Sequence, residues 1–179
     1  MTRIGVLSDT HGYLDKRVFT HFSSCDEIWH AGDIGSFELL QSLREFRPTR
    51  AVFGNMDSGD VRYTLSEFYH FRVEDVQVLM THIGGYPGHY NPWLLPMFRR
   101  SQEAKAGGDE SLLTRDAIDL FVCGHSHILK VQYDRLFGFL TMNPGAAGKQ
   151  GWQTVQTLLR FTIDGRQIDN LEVIELDRK

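Results

Sequence analysis

The segment Ile4-Gly5-Val6-Leu7-Ser8-Asp9-Thr10-His11 joins a short apolar run to a cluster of polar residues that follows it directly. The apolar half has the length and composition of a buried strand. Asp9 and His11 are two residues apart, so an extended backbone directs both side chains to the same side. The segment therefore predicts a strand that carries chemically active groups at its carboxyl end.

The same arrangement recurs at four further apolar runs, at residues 27–29, 51–53, 76–80 and 120–122. Each run is followed by Asp, Asn or His within a few residues. In open α/β sheets, ligands bind beyond the carboxyl ends of the strands. We therefore expect seven side chains to converge there: Asp9, His11, Asp33, Asn55, His82, His125 and His127.

Helical patterns lie between these strands, and antiparallel strands follow the last of them. Helices are expected at residues 14–22, 36–46 and 109–118, and a surface loop at residues 104–110. Further strands are expected at residues 128–133, 138–142, 153–163 and 167–174, with a hairpin turn at Asp164-Gly165 between the last two. This order predicts an α/β fold in which two sheets pack face to face with helices outside.

The composition limits the class of protein. The length predicts a single domain over residues 1–179, and the net charge of −4 argues against a stable nucleic-acid complex. No apolar stretch approaches about 18 residues, so no membrane span is expected. Cys25 and Cys123 have no pair spacing, and the first residues do not resemble a secretory leader. A cytoplasmic location with free thiols is therefore expected.

The seven side chains have the chemistry of a site for divalent metal ions. They comprise two carboxylates, one amide and four imidazoles, a mixture that suits manganese, iron, zinc or nickel. The set is too rich in nitrogen for calcium or magnesium, and it lacks the thiolates of a structural zinc site. Gly32, Gly54 and Gly124 each precede a proposed ligand, where a glycine lets the backbone approach an ion closely.

The charge balance of a site with two such ions favours a phosphodiester as substrate. The carboxylates of Asp9 and Asp33 and a bridging hydroxide would leave a net charge of about one positive. That charge matches a singly charged phosphodiester. Paired cations also clamp the attacking and leaving oxygens and lower the pKa of bound water enough to supply hydroxide near neutral pH.

Taken in order, the motifs are Asp9-x-His11, Gly32-Asp33, Gly54-Asn55-x-Asp57, His82 and Gly124-His125-x-His127. This series resembles the signature of the calcineurin-like metallophosphoesterases, and the short chain resembles their small YfcE-type phosphodiesterase subgroup. The resemblance implies a four-layer αββα sandwich of two mixed sheets flanked by helices. It also implies hydrolysis of a small phosphodiester by a hydroxide that two metal ions hold.

The resemblance further implies how the ligands divide between two ions. Asp9, His11, Asp33 and His127 would hold the first, and Asp33, Asn55, His82 and His125 the second, with Asp33 bridging. Manganese is the first choice, with nickel, zinc or iron as alternatives. Asp33, Asn55 and His125 are the residues expected to take part in catalysis, and Asn143-Pro144-Gly145 resembles a supporting turn of the family.

The sequence departs from the family pattern at two places. Most members carry a histidine that assists the leaving group where this chain has Met56, and a methionine side chain cannot donate a proton. The YfcE-type subgroup also lacks this histidine. We therefore expect a preference for esters with good leaving groups. The second departure is Ile83-Gly84-Gly85 after His82, where the family often has Gly-His.

Four other features have a structural interpretation beside a functional one. His30 is more typical of a hydrogen-bonded structural histidine than of a ligand. Asp57 would orient Asn55, line the pocket or cap a turn. Residues 84–93, rich in Gly, Pro and aromatic residues, would form a substrate wall or a dimer contact, and His89 is a spare proton donor there. A homodimer is left open.

Two alternative functions remain beside the phosphodiesterase. A retromer subunit resembles this family and works as a non-catalytic protein-binding scaffold, but its ligand set is eroded, whereas none of the seven positions is eroded here. An exposed apolar patch at residues 93–98 would favour the scaffold. A phosphomonoesterase or nucleotide hydrolase would need additional basic residues in the pocket.

Overall fold

The computed structural model describes residues 1–178. Within them the strands are β1 (Thr2–Leu7), β2 (Glu27–His30), β3 (Thr49–Ala51), β4 (Phe68–Val73), β5 (Val76–Thr81), β6 (Leu120–Val122), β7 (Leu129–Asp134), β8 (Phe139–Pro144), β9 (Val155–Asp164) and β10 (Gln167–Asp177). The helices are α1 (Arg17–His21), α2 (Phe37–Phe46), α3 (Gly59–Thr64), α4 (Leu95–Gly107) and α5 (Glu110–Asp116).

The strands form two mixed sheets of five strands each. The first has the order β10-β9-β1-β2-β3, and the second has the order β4-β5-β6-β8-β7. Neighbours among β1, β2 and β3 are parallel, as are neighbours among β5, β6 and β8, whereas β4, β7, β9 and β10 pair antiparallel. Because parallel strands share a direction, the carboxyl ends of the central strands lie at one edge of each sheet.

Three apolar clusters hold the layers together. Val6 and Trp29 of the first sheet pack against Val78 and Val122 of the second, in the cluster between the sheets. A second cluster joins the first sheet to α1, α2 and α3, and a third joins the second sheet to α4. The layers therefore run helix, sheet, sheet, helix, and the predicted αββα sandwich of two mixed sheets is confirmed.

Two predicted local features form. Ser36 accepts a hydrogen bond from the backbone N–H of Leu39, so it caps the amino end of α2, and Leu39, Leu40 and Leu43 are buried beneath that helix. The hairpin between β9 and β10 also forms, but its two turn residues are Gly165-Arg166 and not Asp164-Gly165, because Asp164 is the last residue of β9 and pairs with Gln167.

Other elements differ from the sequence-based expectation. The helix expected at residues 14–22 is limited to Arg17–His21, and α3, β4 and α4 were not predicted. The loop expected at residues 104–110 is wrong over its first part, because Ala104 faces the core and α4 continues to Gly107. Gly108 then adopts the left-handed conformation, with φ of 67°, and ends the helix.

The longest helix of residues 1–178 is α4, with 13 residues. At 1.5 Å per residue it is about 20 Å long, which is shorter than the hydrocarbon core of a bilayer at about 30 Å. Within the described part of the chain, no helix is long and apolar enough to cross a membrane.

Candidate metal centre

All seven predicted ligands follow the carboxyl ends of parallel strands in the two sheets. Asp9 and His11 follow β1, Asp33 follows β2 and Asn55 follows β3 in the first sheet. In the second sheet, His82 follows β5, and His125 and His127 follow β6. The strand-end pattern of the sequence therefore corresponds to one edge of the sandwich.

The backbone at this edge adopts a rare conformation. Among the seven residues, positive φ angles occur at Asp9 (55°), His11 (47°), Asp33 (54°), His125 (70°) and His127 (59°). Left-handed backbone is uncommon for residues other than glycine and clusters at functional sites. Hydrogen bonds between the strand-end loops hold it in place, from Asp9 N–H to the Gly32 carbonyl (3.0 Å) and from His11 N–H to the Asp33 carbonyl (2.9 Å).

One oxygen of Asp9 lies at the centre of the cluster. Its Oδ1 atom is 3.2 Å from Nε2 of His127, 3.8 Å from Nε2 of His82 and 3.9 Å from Nε2 of His11. The Nε2 atoms of His11 and His127 are themselves 3.2 Å apart. A carboxylate oxygen thus faces three imidazole nitrogens across a space of atomic size.

Asp33 completes a second group on the other side of Asp9. Its Oδ2 atom is 3.1 Å from Nε2 of His82 and 3.9 Å from Nε2 of His11. Two groups result, each with ligand atoms within 4.8 Å of one another: Asp9, His11 and His127, and Asp9, Asp33 and His82. Asp9 belongs to both groups, whereas the family-based assignment expects Asp33 to be shared.

Two buried polar atoms of this cluster have no hydrogen-bond partner, and they indicate whether a divalent cation would fit between the side chains. These atoms are Oδ1 of Asp9 and Nε2 of His82. Buried polar atoms without a partner are costly and rare, so such atoms require an explanation. Oxygen and imidazole donors converging on one space suit borderline divalent metals. The residues present therefore fit a divalent cation.

Surrounding hydrogen bonds orient these donor atoms. Nδ1 of His82 donates to the carbonyl of Ala31 at 2.8 Å, which leaves the lone pair of Nε2 facing the cluster. Oδ2 of Asp9 accepts from the backbone N–H of His125 (3.1 Å), and Oδ1 of Asp33 accepts from that of Met56 (2.8 Å). Each carboxylate is thus anchored by one oxygen and presents the other.

The charges of the cluster shift the pKa values of its members. Burial lowers the pKa of His82, but the nearby carboxylates of Asp33 and Asp9 outweigh it and raise that pKa overall. Burial raises the pKa of Asp33, and the contact with His82 outweighs it in turn and lowers that pKa. Asp9 raises the pKa of His127. The site therefore attracts positive charge, and protons would compete with a metal ion for it.

Asn55 and His125 lie at the rim of the cluster. Both are exposed, and the ring of His125 packs edge-on against His82 with 5.3 Å between centroids. Asn55 lines a cleft together with His82 and Arg62. No pattern in the sequence indicated Arg62, because this residue lies on α3, which was not predicted. The ligand roles of Asn55 and His125 stay predictions.

At two of the three glycines that precede predicted ligands, a neighbouring strand-end loop packs so closely that a side chain would not fit. A Cβ atom added at Gly54 would lie 2.1 Å from Oδ1 of Asp33, and one added at Gly124 would lie 2.0 Å from Oγ of Ser8. Either contact would force the neighbouring group to move. These glycines therefore let the strand-end loops pack directly against one another.

Asp57 ties two of these loops together. Its buried carboxylate accepts hydrogen bonds from the backbone N–H groups of Gly54 (2.8 Å), Ile34 (3.1 Å) and Gly35 (2.8 Å). Of the three roles considered for Asp57, the geometry matches the capping of a turn. It fixes the loop after β3 against the loop that carries Asp33.

His30 has the environment of a structural histidine. It is fully buried, and its Nδ1 accepts from the Gly32 N–H at 3.2 Å. Nε2 then carries the proton and donates to Oγ1 of Thr10 at 2.9 Å. Burial lowers the pKa of His30 to about 4, so the ring is neutral near pH 7. It supports the loop that carries Asp9 and His11.

Comparisons with known proteins agree with this arrangement. The family model for the calcineurin-like phosphoesterase superfamily domain matches residues 2–166. A probable metallophosphoesterase of Methanothermobacter thermautotrophicus is 27% identical over 172 residues, covering 93% of this chain and 88% of that protein. A probable metallophosphoesterase of Methanocaldococcus jannaschii is 49% identical over 59 residues, covering 30% of this chain and 31% of that protein.

The fold also matches solved structures. A single-mutant Vps29 of Entamoeba histolytica superposes with a TM-score of 0.68 at 14% sequence identity. The match covers 98% of this chain and 99% of that one. At this level of identity the likeness concerns the fold alone.

Proposed function

The chain belongs to the calcineurin-like phosphoesterase superfamily, and on this basis we propose that it is a phosphodiesterase that works with two divalent cations. The observation that carries the proposal is the pair of three-residue ligand groups that share Asp9. The curated relatives are described as probable metallophosphoesterases, which supports a phosphoester as substrate.

The residues of the cluster divide between binding and orientation. Asp9, His11 and His127 would hold one cation, and Asp33 and His82 the other, with Asn55 and His125 completing the set from the rim. When bound, the paired cations supply hydroxide near neutral pH and clamp the attacking and leaving oxygens. Ala31 fixes the orientation of His82 through its carbonyl.

Charge supports a diester over a monoester. Two buried carboxylates, Asp9 and Asp33, would offset half the charge of two divalent cations. Arg62 is the basic side chain of the cleft next to Asn55, and Glu67 lines the same cleft. A monoester dianion would favour several additional basic groups around the phosphate, whereas a diester carries a single negative charge.

The scaffold alternative receives no support from residues 93–98. Leu94 and Phe98 are fully buried, and Trp93 packs edge-on against Phe68 with 4.8 Å between ring centroids. Trp93 and Phe68 are themselves 37% and 39% exposed, so the large exposed apolar side chains at this segment are reduced to that aromatic pair, which is less than a protein-binding scaffold would present there.

We further propose manganese as the cation, with nickel, zinc or iron as alternatives, because the donors are oxygen and imidazole nitrogen. Cys25 and Cys123 are both free and buried, which supports a cytoplasmic location.

The test is to strip metal from the protein and to assay hydrolysis of bis(p-nitrophenyl) phosphate with added manganese. The parent is compared with Asp33→Ala and with Asp169→Ala, a control at an exposed position on β10. We expect turnover that depends on manganese, that is lost in Asp33→Ala and that is retained in Asp169→Ala.

Two results would overturn the proposal. Absence of turnover with manganese, nickel, zinc and iron alike would favour the scaffold. Faster hydrolysis of p-nitrophenyl phosphate than of the diester would make the protein a phosphomonoesterase.

A further inference from the structure

A cleft with a volume of about 360 Å³ opens beside the metal centre on the side of His125. Small-molecule sites in proteins have volumes of about 300–1,000 Å³, so the cleft has the size of a ligand pocket. Its walls include Ile83, Tyr86, His89, Ile128 and Lys130. His125 lines this cleft and packs against His82 of the cluster, so the cleft adjoins the metal centre.

The floor of the cleft offers few free hydrogen-bonding groups. Thr141 and Asn143 form it and are buried. Oγ1 of Thr141 is hydrogen-bonded to the hydroxyl of Tyr90 at 2.8 Å. Nδ2 of Asn143 donates to the Gly124 carbonyl at 2.8 Å, and its Oδ1 accepts from Gly145 N–H at 2.9 Å. Because these polar atoms are already paired, the floor suits an apolar group.

The outer wall combines aromatic rings with a cation. Nζ of Lys130 lies 3.8 Å from the centre of the Tyr86 ring, and the rings of Tyr86 and His89 are 4.8 Å apart. Within residues 1–178, no carboxylate forms an ion pair with Lys130. Aromatic faces next to a cation favour a planar aromatic ligand that carries negative charge nearby.

The cleft beside Asn55 has a different character. Arg62 and Glu67 line it, so charges of both signs face the space. Its aromatic residues are Trp93 and Phe53, and the guanidinium of Arg62 already lies 4.2 Å from the centre of the Phe53 ring. Its volume of about 240 Å³ is also smaller than that of the cleft beside His125. A flat apolar group is therefore better accommodated on the side of His125.

We propose that the cleft of Tyr86 and Lys130 binds a planar aromatic group on one ester arm, so that the substrate is an aryl or nucleoside phosphodiester. The proposal rests on the proposed function, because the phosphate is placed at the metal centre. With the phosphate there, an ester arm directed past His125 enters the cleft between the ring of Tyr86 and the floor formed by Thr141 and Asn143. Lys130 lies at the wall, where it attracts the charge of the diester.

The test measures binding by calorimetry to the manganese-loaded protein. The ligands are diphenyl phosphate, the methyl ester of thymidine 5′-phosphate and dimethyl phosphate, which share the charge and differ in the arm. The variants are Tyr86→Leu and Lys130→Met. Their matched controls are Tyr133→Leu, on the opposite face of β7 from Lys130, and Lys16→Met, which is exposed and remote from the cleft.

We expect at least one aromatic ester to bind about tenfold more tightly than dimethyl phosphate, in line with the strength of aromatic stacking. Tyr86→Leu should weaken binding of that ester about fivefold and leave dimethyl phosphate binding unchanged, because only the aromatic contact is lost. Lys130→Met should weaken binding of all three esters, because they share the negative charge that Lys130 attracts, and the controls should leave the binding of every ester unchanged. Tighter binding of diphenyl phosphate would identify an aryl arm, and tighter binding of the thymidine ester a nucleoside arm.

Equal binding of all three esters, or equal loss in the variants and their controls, would overturn the aromatic subsite. These results are separable from the proposed function. If the protein hydrolyses bis(p-nitrophenyl) phosphate but binds the three esters equally, the aromatic subsite is refuted and the proposed phosphodiesterase activity stands. Discrimination without hydrolysis would refute the phosphodiesterase and leave the aromatic cleft.

Discussion

Nε2 of His82 lies 3.1 Å from Oδ2 of Asp33, yet it makes no hydrogen bond. The reason is that the Ala31 carbonyl fixes the ring through Nδ1 at 2.8 Å. With Nδ1 donating to Ala31, Nε2 of the neutral ring presents its lone pair beside the carboxylate oxygen of Asp33, so both atoms are available to one cation. Such pairs are typical of metal ligands that are oriented before the ion binds.

Asp9→Asn is expected to affect the metal-free and the metal-loaded protein in opposite directions. Asp9 is fully buried, its Oδ1 has no hydrogen-bond partner, and its ligand oxygen lies within 4.8 Å of that of Asp33. Removing one of two neighbouring buried charges should raise the Tm of the metal-free protein, by about 2–4 °C per kcal/mol gained. The measurement is thermal unfolding with a chelator and with manganese.

In the parent, manganese should raise the Tm because it binds the native state. In Asp9→Asn that increase should be largely lost, since Asp9 is common to both ligand groups. Asp169→Asn, at an exposed position, serves as control. An unchanged manganese effect in Asp9→Asn would contradict the central position of Asp9.

Gly54→Ala is expected to disrupt metal binding without removing any ligand. The added Cβ would lie 2.1 Å from Oδ1 and 2.4 Å from the backbone nitrogen of Asp33, so this residue must move. Gly107→Ala is the matched control, because a Cβ there meets nothing within 4 Å and Gly107 ends α4. Manganese binding measured by calorimetry should weaken for Gly54→Ala only. Parental affinity in that variant would show that the loops have room to adjust.

Much of this architecture could be predicted because the central strands are buried on both faces. Residues of β1 from Ile4 to Leu7 are fully buried or nearly so, and the apolar run marks the strand directly. The elements that were missed lack such a signal. In α3 only Val61 is buried, and in β4 the first three residues are exposed.

The sequence predicted that these strand ends meet, and five of the seven predicted ligands fall in the two groups, but the arrangement within the cluster was not predicted. Order along the chain identifies which strand ends meet. The position of Asp9 between both groups depends on its left-handed backbone, with φ of 55°, and on the anchoring of Oδ2 by His125 N–H. The contact of Lys130 with Tyr86 depends on tertiary packing between segments that are distant in sequence, so no local sequence pattern predicts it.

Asp57→Ala should destabilise the fold and loosen the metal centre together. The buried carboxylate satisfies three backbone N–H groups, of Gly54, Ile34 and Gly35. Their loss should lower the free energy of unfolding by about 3 kcal/mol or more, because buried donors lose a charged partner. Urea unfolding measures the effect, with Asp169→Ala as the exposed control.

Asp57→Asn retains one carbonyl oxygen in place of the carboxylate and should lie between parent and alanine variant in stability. Metal affinity should follow the same order, since the carboxylate fixes both the loop of Asp33 and the loop of Asn55. Equal stability of the parent and Asp57→Ala would refute this structural role.

Met56→His should extend hydrolysis to esters with poor leaving groups. Met56 is 66% exposed, and its backbone N–H donates to Oδ1 of Asp33 at 2.8 Å, so the main chain at position 56 adjoins the metal centre. An imidazole there offers the proton that a thioether cannot supply, and general acid catalysis typically contributes about 10²–10⁴-fold. The backbone contact to Asp33 is retained, so metal binding should not change.

The measurement is a series of aryl methyl phosphates whose phenol pKa increases, assayed with manganese for the parent, Met56→His and Met56→Leu. Met56→Leu keeps an apolar side chain and should match the parent across the series. The increase in hydrolysis rate of Met56→His over the parent should be largest for the ester whose phenol has the highest pKa, because that leaving oxygen depends most on receiving a proton. A gain that is equal for all leaving groups, or no gain, would mean that position 56 does not reach the leaving oxygen.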